Sequence, residues 1–173
     1  MMLAPVVEGE CVSLHPLRTE DVSQRYVRWL NDPRVVAHTM AGNVEHSAES
    51  VRDYVRANLD DPAAYLWRIV RCGEHIGNVR LSNIDISSGR CELALIIGEA
   101  SDRGRGIGSQ AIALATDHAL SMLGVRSVWA MISARNEQSI RAFRRVGYEE
   151  NKRIAGYFNH HGEPVDGIWM VRA

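Results

Sequence analysis

CELALIIGEASDRGRGIGSQAIALATDHALSML, residues 91–123, decides how the rest of the chain is read. Its first part is an apolar run, Cys91–Ile97, with Glu92 as its one carboxylate, and is expected to be a strand. A short polar link follows, then the turn Arg103-Gly104-Arg105-Gly106-Ile107-Gly108, then a long segment of helical periodicity. Glycines at 104, 106 and 108 permit a tight turn and let the backbone approach a ligand without Cβ interference. The N–H groups entering the helix have no partners within it, and the helix dipole adds partial positive charge there. Strand, glycine turn and helix start together make an anion site, most naturally for phosphate or pyrophosphate.

Three phosphate motifs compete for this turn. A P-loop needs a lysine before its Ser/Thr, and the turn ends Gly106-Ile107-Gly108-Ser109 without one. A dinucleotide fingerprint needs G-x-G-x-x-G, whereas the spacing here is G-x-G-x-G. The third pattern is Q/R-x-x-G-x-G/A, the acetyl-coenzyme A signature of the GNAT superfamily of N-acetyltransferases, and Arg103-x-x-Gly106-x-Gly108 resembles it at every position.

Outward from the turn, Cys11–Leu17 predicts a strand with Val12 and Leu14 alternating, closed by Pro16. Thr19 and Asp21-Val22 look like a helix start, with Val22, Tyr26, Trp29 and Leu30 on one face, and the helix stops before Pro33. Ser47 caps a second helix, Glu49–Leu59. Tyr65–Arg71, His75–Asn83 and Cys91–Ile97 are strands joined by turns at Cys72-Gly73-Glu74 and Ser87-Ser88-Gly89-Arg90. The helix after the glycine turn carries Ile107, Ala111, Leu114, Ala115, His118 and Met122 on one side and ends at Gly124. A strand at Val125–Ile132, a helix at Glu137–Arg145 ended by Gly147, and strands at Glu149–Phe158 and Val165–Val171 complete the chain. Trp67, Trp129 and Trp169 are expected in the core, and His118 is expected to be structural. This order predicts an α/β (α+β) fold with helices on both faces of a mixed sheet.

The same order is similar to the GNAT element order, which implies a mostly antiparallel sheet of about seven strands and about four helices. The resemblance continues at Asn136-Glu137-Gln138-Ser139 and Phe143-Arg144-Arg145-Val146-Gly147-Tyr148, which look like the family's N-x-x-A/S and Y-E-K-x-G-F segments. Trp29-Leu30-Asn31-Asp32-Pro33 and Gly162-x-x-x-Asp166-x-x-x-Met170 resemble the RimJ/RimL-like branch. That branch holds ribosomal-protein alanine acetyltransferases and many small-molecule or amino-sugar acetyltransferases.

The chain has 173 residues, the size of one domain spanning 1–173. Its 46% hydrophobic and 24% charged residues argue against disorder. A net charge of −1 and a pI near 6.7 give no basic field for nucleic acid or an anionic membrane. No signal-peptide pattern or membrane-length apolar run is read, so a cytoplasmic protein is expected. Cys11, Cys72 and Cys91, odd in number and far apart, read as reduced, buried thiols. A monomer or homodimer is expected, with acetyl-CoA and an amine as its partners.

The resemblance implies roles for named residues. Backbone groups of Ile96, Ile97 and Gly98 would pair with the pantetheine arm, a bulged strand leaving them free. Arg103, Gly104, Arg105, Gly106, Ile107, Gly108 and Ser109 would hold the pyrophosphate. Asn136 and Ser139 would contact the cofactor, although Asn136 serves equally well as a plain N-cap. Tyr26, Trp29, His38 and Asp166 would line the acceptor pocket, with His160 and His161 facing it from the loop Asn159–Pro164. No Cys or carboxylate cluster around those histidines has ligand spacing, so no metal is expected.

Glu92 is the catalytic candidate. An ammonium must lose a proton before it attacks a thioester, and Glu92 is the carboxylate of the apolar run, eleven residues before Arg103. Its alternative is a strand glutamate that is solvated or paired with Arg80 or Arg90. Phe143 stands where the family's usual general acid, a tyrosine, would be. The resulting expectation is an N-acetyltransferase moving acetyl from acetyl-CoA directly to a primary amine, such as that of an amino sugar. The alternatives are a ribosomal-protein-type N-terminal acetyltransferase and a non-catalytic acyl-CoA sensor.

Overall fold

The computed structural model describes residues 3–173. Seven strands form one open sheet: β1 (Ser13–Pro16), β2 (Tyr65–Arg71), β3 (Glu74–Asp85), β4 (Arg90–Ile97), β5 (Ser127–Ser133), β6 (Glu149–His160) and β7 (Glu163–Arg172). Their spatial order is β1-β2-β3-β4-β5-β7-β6, and β4–β5 is the one parallel neighbour pair. The helices are α1 (Gln24–Asn31), α2 (Pro33–Val36), α3 (Ala48–Asp60), α4 (Ile107–Met122) and α5 (Glu137–Arg145). A parallel pair requires a crossover, and α4 provides it between β4 and β5. The expected mixed α/β sheet therefore forms, with one more helix than anticipated.

That extra helix comes from Asp32-Pro33. Proline at the first helical position loses no hydrogen bond, and the Asp32 carboxylate accepts from Arg34 N at 2.9 Å, so α2 starts where α1 stops. The expected helix start at Thr19 is corrected. Thr19–Asp21 makes an isolated 3₁₀ turn, and Ser23 caps α1 by accepting from Tyr26 N. Ser47 caps α3, accepting from Ser50 N at 3.0 Å.

The sheet has two cores. One face packs Trp67, Ile69, Val79, Leu81, Cys91 and Leu93 under α4, with Ile140 and Phe143 of α5 in the same cluster. Trp67 is fully buried, and its indole N–H donates to Pro5 O at 2.7 Å, which satisfies its polar end. The other face packs Leu66 and Ile96 beneath Tyr26, Trp29 and Leu30 of α1 and Val51 and Val55 of α3.

Four further expectations are corrected. Met122 is 71% exposed, while Ala111, Ile112, Ala115, Thr116 and Ala119 carry the buried stripe of α4. Trp129 and Trp169 lie outside both cores, stacked on each other at 4.7 Å with the Lys152 ammonium over Trp169. Cys11 and Cys72 are exposed, and Cys91 alone is buried. His160 is the last residue of β6 rather than a loop residue, because the hairpin turns on His161 (φ 55°) and Gly162 (φ 88°) alone.

His75 sits edge-on to Trp29 at 5.1 Å, and its Nε2 pairs with Asn78 Oδ1 at 2.8 Å. Burial, helped by the Arg68 charge, holds its pKa below the ordinary 6.5 against the opposing pull of Asn78. The unfolded chain then takes up a proton that the folded chain refuses. Stability is complete above pH 6.5 and falls as pH drops through it toward the folded value. His38, His118 and His160 shift in the same direction. Urea midpoints should be flat at pH 7–8 and fall on acidification. The fall should be shallower in His75→Phe, and equal slopes would rule His75 out as a contributor.

Candidate active site

β4 and β5 pair only at Arg90–Glu92 against Ser127–Trp129, so from Leu93 onward β4 is bonded to β3 alone. Gly98 N–H points toward β3, donating to Ile76 O at 2.9 Å. Strand alternation then aims the N–H groups of Ile97 and Leu95 into the gap left by β5. Gly98 also lies flat against Trp29, where a Cβ would fall 2.0 Å from the indole ring, so only glycine fits. The indole N–H and Arg25 both donate to Glu99, at 2.9 and 2.7 Å, and tie the end of β4 to α1.

The gap opens into a cavity of about 380 Å³ whose wall includes Leu95, Ile96, Ile97, Gly104, Gly106, Gly108 and Ser109. Gly106, at φ 80°, precedes α4, and the first bond from a helix N–H runs from Gln110 to Gly106 O. Ile107, Gly108 and Ser109 therefore present N–H groups free of intrahelical partners. Arg34, Arg103, Arg141 and Arg145 line the same cavity, and its one carboxylate, Asp102, is neutralised by Arg71. Arg34 and Arg141 are paired with Asp32 and Glu137, which leaves Arg145 as the guanidinium of the wall with no partner among the described residues. With unpartnered helix N–H groups and a glycine cradle it suits a polyphosphate on a long flexible arm, so the residues present fit coenzyme A.

Gly108 isolates the ligand contribution. A Cβ there would meet only Ile97 Cγ1 at 3.9 Å and Leu95 Cδ1 at 4.0 Å, ordinary contacts for the protein. The methyl would nonetheless occupy the cavity. Gly108→Ala should keep or raise the melting temperature, since alanine favours helix by up to about 1 kcal/mol. It should weaken coenzyme A binding by roughly tenfold, the equivalent of about 1.4 kcal/mol. Calorimetry showing wild-type affinity would move the phosphates away from this turn.

A second cavity, of about 430 Å³, lies on the α1–α3 side of β4. Tyr26, Leu30, Val51, Leu66 and Val79 make it largely apolar, and Asn78, Arg80, Tyr54 and Glu45 add polar groups. Thr39, Leu95 and Ile96 line both cavities. The two chambers therefore meet across the unpaired part of β4.

The remaining sequence-derived candidates divide by position. Asn136 lines the first cavity but also caps α5, accepting from Ser139 N at 3.1 Å; Ser139 lines the cavity beside it. The Arg103 guanidinium spends its donors on the carbonyls of Ile97, Gly98 and Arg34, whereas Arg105 and the buried Ile107 are not in the cavity wall. Tyr26 lines the second cavity, and His38 lines the first. His38 lies 5.9 Å from His160, whose Nε2 is 3.2 Å from Ser133 Oγ. His160 and His161 line a separate groove with Pro33 and Ala37. Trp29 and Asp166 are in neither chamber wall, and Asp166 accepts from Gly156 N.

Glu92 shares a strand face with Ala94 and Ile96, which line the second cavity, and so stands one step beyond its edge. Its carboxylate accepts from Asn83 Nδ2 at 2.9 Å and Ser82 Oγ at 3.4 Å, and it forms no ion pair with Arg80 or Arg90. Phe143 is buried edge-on against Tyr148 at 4.8 Å, away from both cavities. The opposite face of α5, Gln138, Arg141, Ala142 and Arg145, is the one toward the first cavity. Sequence reading missed these residues, although their i, i+3, i+4, i+7 spacing was the available signal.

Residues 12–149 match the family model described as "Acetyltransferase (GNAT) domain". The chain is 26% identical over 160 residues to spermidine N(1)-acetyltransferase of Escherichia coli K12, covering 92% of this chain and 84% of that enzyme. Its fold superposes on Vibrio cholerae spermidine N-acetyltransferase, solved with CoA and spermine, with a TM-score of 0.84, 17% identity and coverage of 95% and 96%. Mycobacterium smegmatis RimJ, solved with CoA-disulfide, gives a TM-score of 0.83 at 20% identity, covering 98% of this chain and 86% of that one.

Proposed function

The chain belongs to the GNAT acetyltransferase family, and from that premise we propose that it acetylates the primary amine of a small molecule directly, without an acyl-enzyme. Acetyl-CoA is the acetyl donor and brings the reactive thioester. The observation that carries the reading is the wall of Thr39, Leu95 and Ile96 common to the two chambers. A donor held in one and an acceptor in the other have their reacting ends side by side, and this orientation is itself a large part of the acceleration.

The residues divide the work. The helix N–H groups and Arg145 hold phosphates, and the free N–H groups of Leu95 and Ile97 donate to acyl and amide oxygens at the gap. Glu92, at the far edge of the acceptor floor, takes the ammonium proton through intervening water. Buried Phe143 offers the departing sulfur no acid, and none is required: a thiol of pKa about 8.5 departs readily as thiolate near neutral pH. Buried Cys91, whose pKa desolvation pushes up to about 12, faces the core as a protonated thiol and offers no nucleophile.

The test is thiol release from acetyl-CoA across a panel of primary amines, with the N-acetyl product weighed by mass spectrometry. Release that requires an amine and matches product one to one is expected. Coenzyme A binding with no amine-dependent release would leave an acyl-CoA sensor in place of an enzyme.

A further inference from the structure

The floor of the second cavity is built from two paired strands. Asn78 stands opposite Ile96 and Arg80 opposite Ala94, all four lining the chamber. Asn78 is only 5% exposed, its Oδ1 is taken by His75, and its amide nitrogen is buried with no partner. Arg80 Nε is likewise buried and unpartnered, while Nη1 donates to Tyr54 Oη at 3.2 Å. Arg80 enters none of the ion pairs of the described residues. Buried donors without acceptors are rare in folded proteins, because water has been removed and nothing has replaced it. Two of them side by side, one cationic, form a receptor for a ligand oxygen bearing negative charge.

We propose that the acceptor is a small amino acid with an apolar side chain, its carboxylate held by Arg80 and Asn78. The inference rests on reading this chamber as the acceptor side. Ile96 belongs to both chambers, so the amine must sit near it. Arg80 lies one same-face step away, ~7 Å along the strand. That interval suits an amino group and a carboxylate on the same or neighbouring carbons. Val51 and Leu66 take the apolar side chain. The one carboxylate in the wall, Glu45, is at the exposed rim, so a polycationic amine would meet the Arg80 guanidinium at the floor of the chamber. The guanidinium selects a carboxylate over a neutral carbonyl because the charge-assisted pair is the stronger.

The experiment compares leucine, leucinamide, isopentylamine and spermidine as acceptors for wild type and Arg80→Gln, with thermal melts and coenzyme A calorimetry as controls for folding. Wild type should give kcat/KM for leucine at least tenfold above isopentylamine and spermidine, with leucinamide between. Arg80→Gln should collapse the leucine-to-isopentylamine ratio at least tenfold, chiefly through KM, and Asn78→Ala should do so in part. Equal use of the bare amine or spermidine by wild type, or an unchanged ratio in Arg80→Gln, would overturn the proposal. If no acceptor releases thiol, leucine binding measured by calorimetry decides. Binding that is lost in Arg80→Gln upholds the carboxylate site while acetyl transfer fails, and no binding overturns both.

Discussion

Glu92→Gln should lower kcat by about 10²–10⁴-fold, the usual contribution of a positioned general base. Glutamine keeps the length and shape of the side chain, and it retains an oxygen to accept from Asn83 and Ser82, the two groups that now hold the carboxylate. What it removes is basicity. Glu92 shares its strand face with Ala94 and Ile96, so its effect is on the amine and not on the phosphates beyond the gap. Coenzyme A affinity should therefore stay at the wild-type value while turnover falls. The residual rate should keep rising with pH, because an ammonium that loses its proton to solvent no longer needs the protein to deprotonate it. Paired pH–rate profiles on one good acceptor read this directly. Matching profiles with kcat within about threefold would make Glu92 a strand residue, held by Asn83 for structural reasons alone.

Gly106→Val should weaken coenzyme A binding by roughly 5- to 150-fold. Gly106 has φ 80°, a conformation costly for a β-branched residue, and nothing lies within 4 Å of where its Cβ would be. The variant turn relaxes in the free protein and must be strained again to aim the α4 N–H groups at phosphate. Such strain is on the order of 1–3 kcal/mol, which converts to that loss of affinity. Gly124→Val provides the control. Gly124 also has positive φ (72°) and open space around it, but it ends α4 far from its N-terminus. It should lose comparable stability and no affinity. Equal effects from the two variants would mean that the glycine turn serves folding and not the ligand.

Much of this architecture was legible because it is written locally. Tyr65–Arg71 and Glu137–Arg145 form with the bounds read from the sequence, since alternation and helical spacing are properties of neighbouring residues. Pro33, Ser47, Gly124 and Gly147 mark boundaries through their own backbone or side-chain chemistry. The errors share another cause. Alternation assigns Trp129 and Trp169 to one face of the sheet but does not say whether a helix covers it. They stack against each other instead of entering a core. The six-residue loop read around His160 shrank to a two-residue turn because cross-strand bonds extended both strands. Helical phase placed Met122 on the buried side, but it is exposed, and Ala119, Leu120 and Leu123 make the core contacts at that end of α4.

The glycine turn proposed to hold the phosphates was contained in the sequence itself. A glycine at φ 80° followed by helix N–H groups is fixed by a few consecutive residues, whatever the rest of the chain does. The chamber proposed for the acceptor was decided by tertiary structure. Asn78 and Arg80 look like ordinary strand residues until β3 pairs with β4, α3 brings Tyr54 above them and water is excluded. Only then do an amide and a guanidinium become donors without acceptors. Local spacing sets which groups a segment can present, whereas desolvation and register depend on segments far apart in the chain, and these determine what the groups are left to bind.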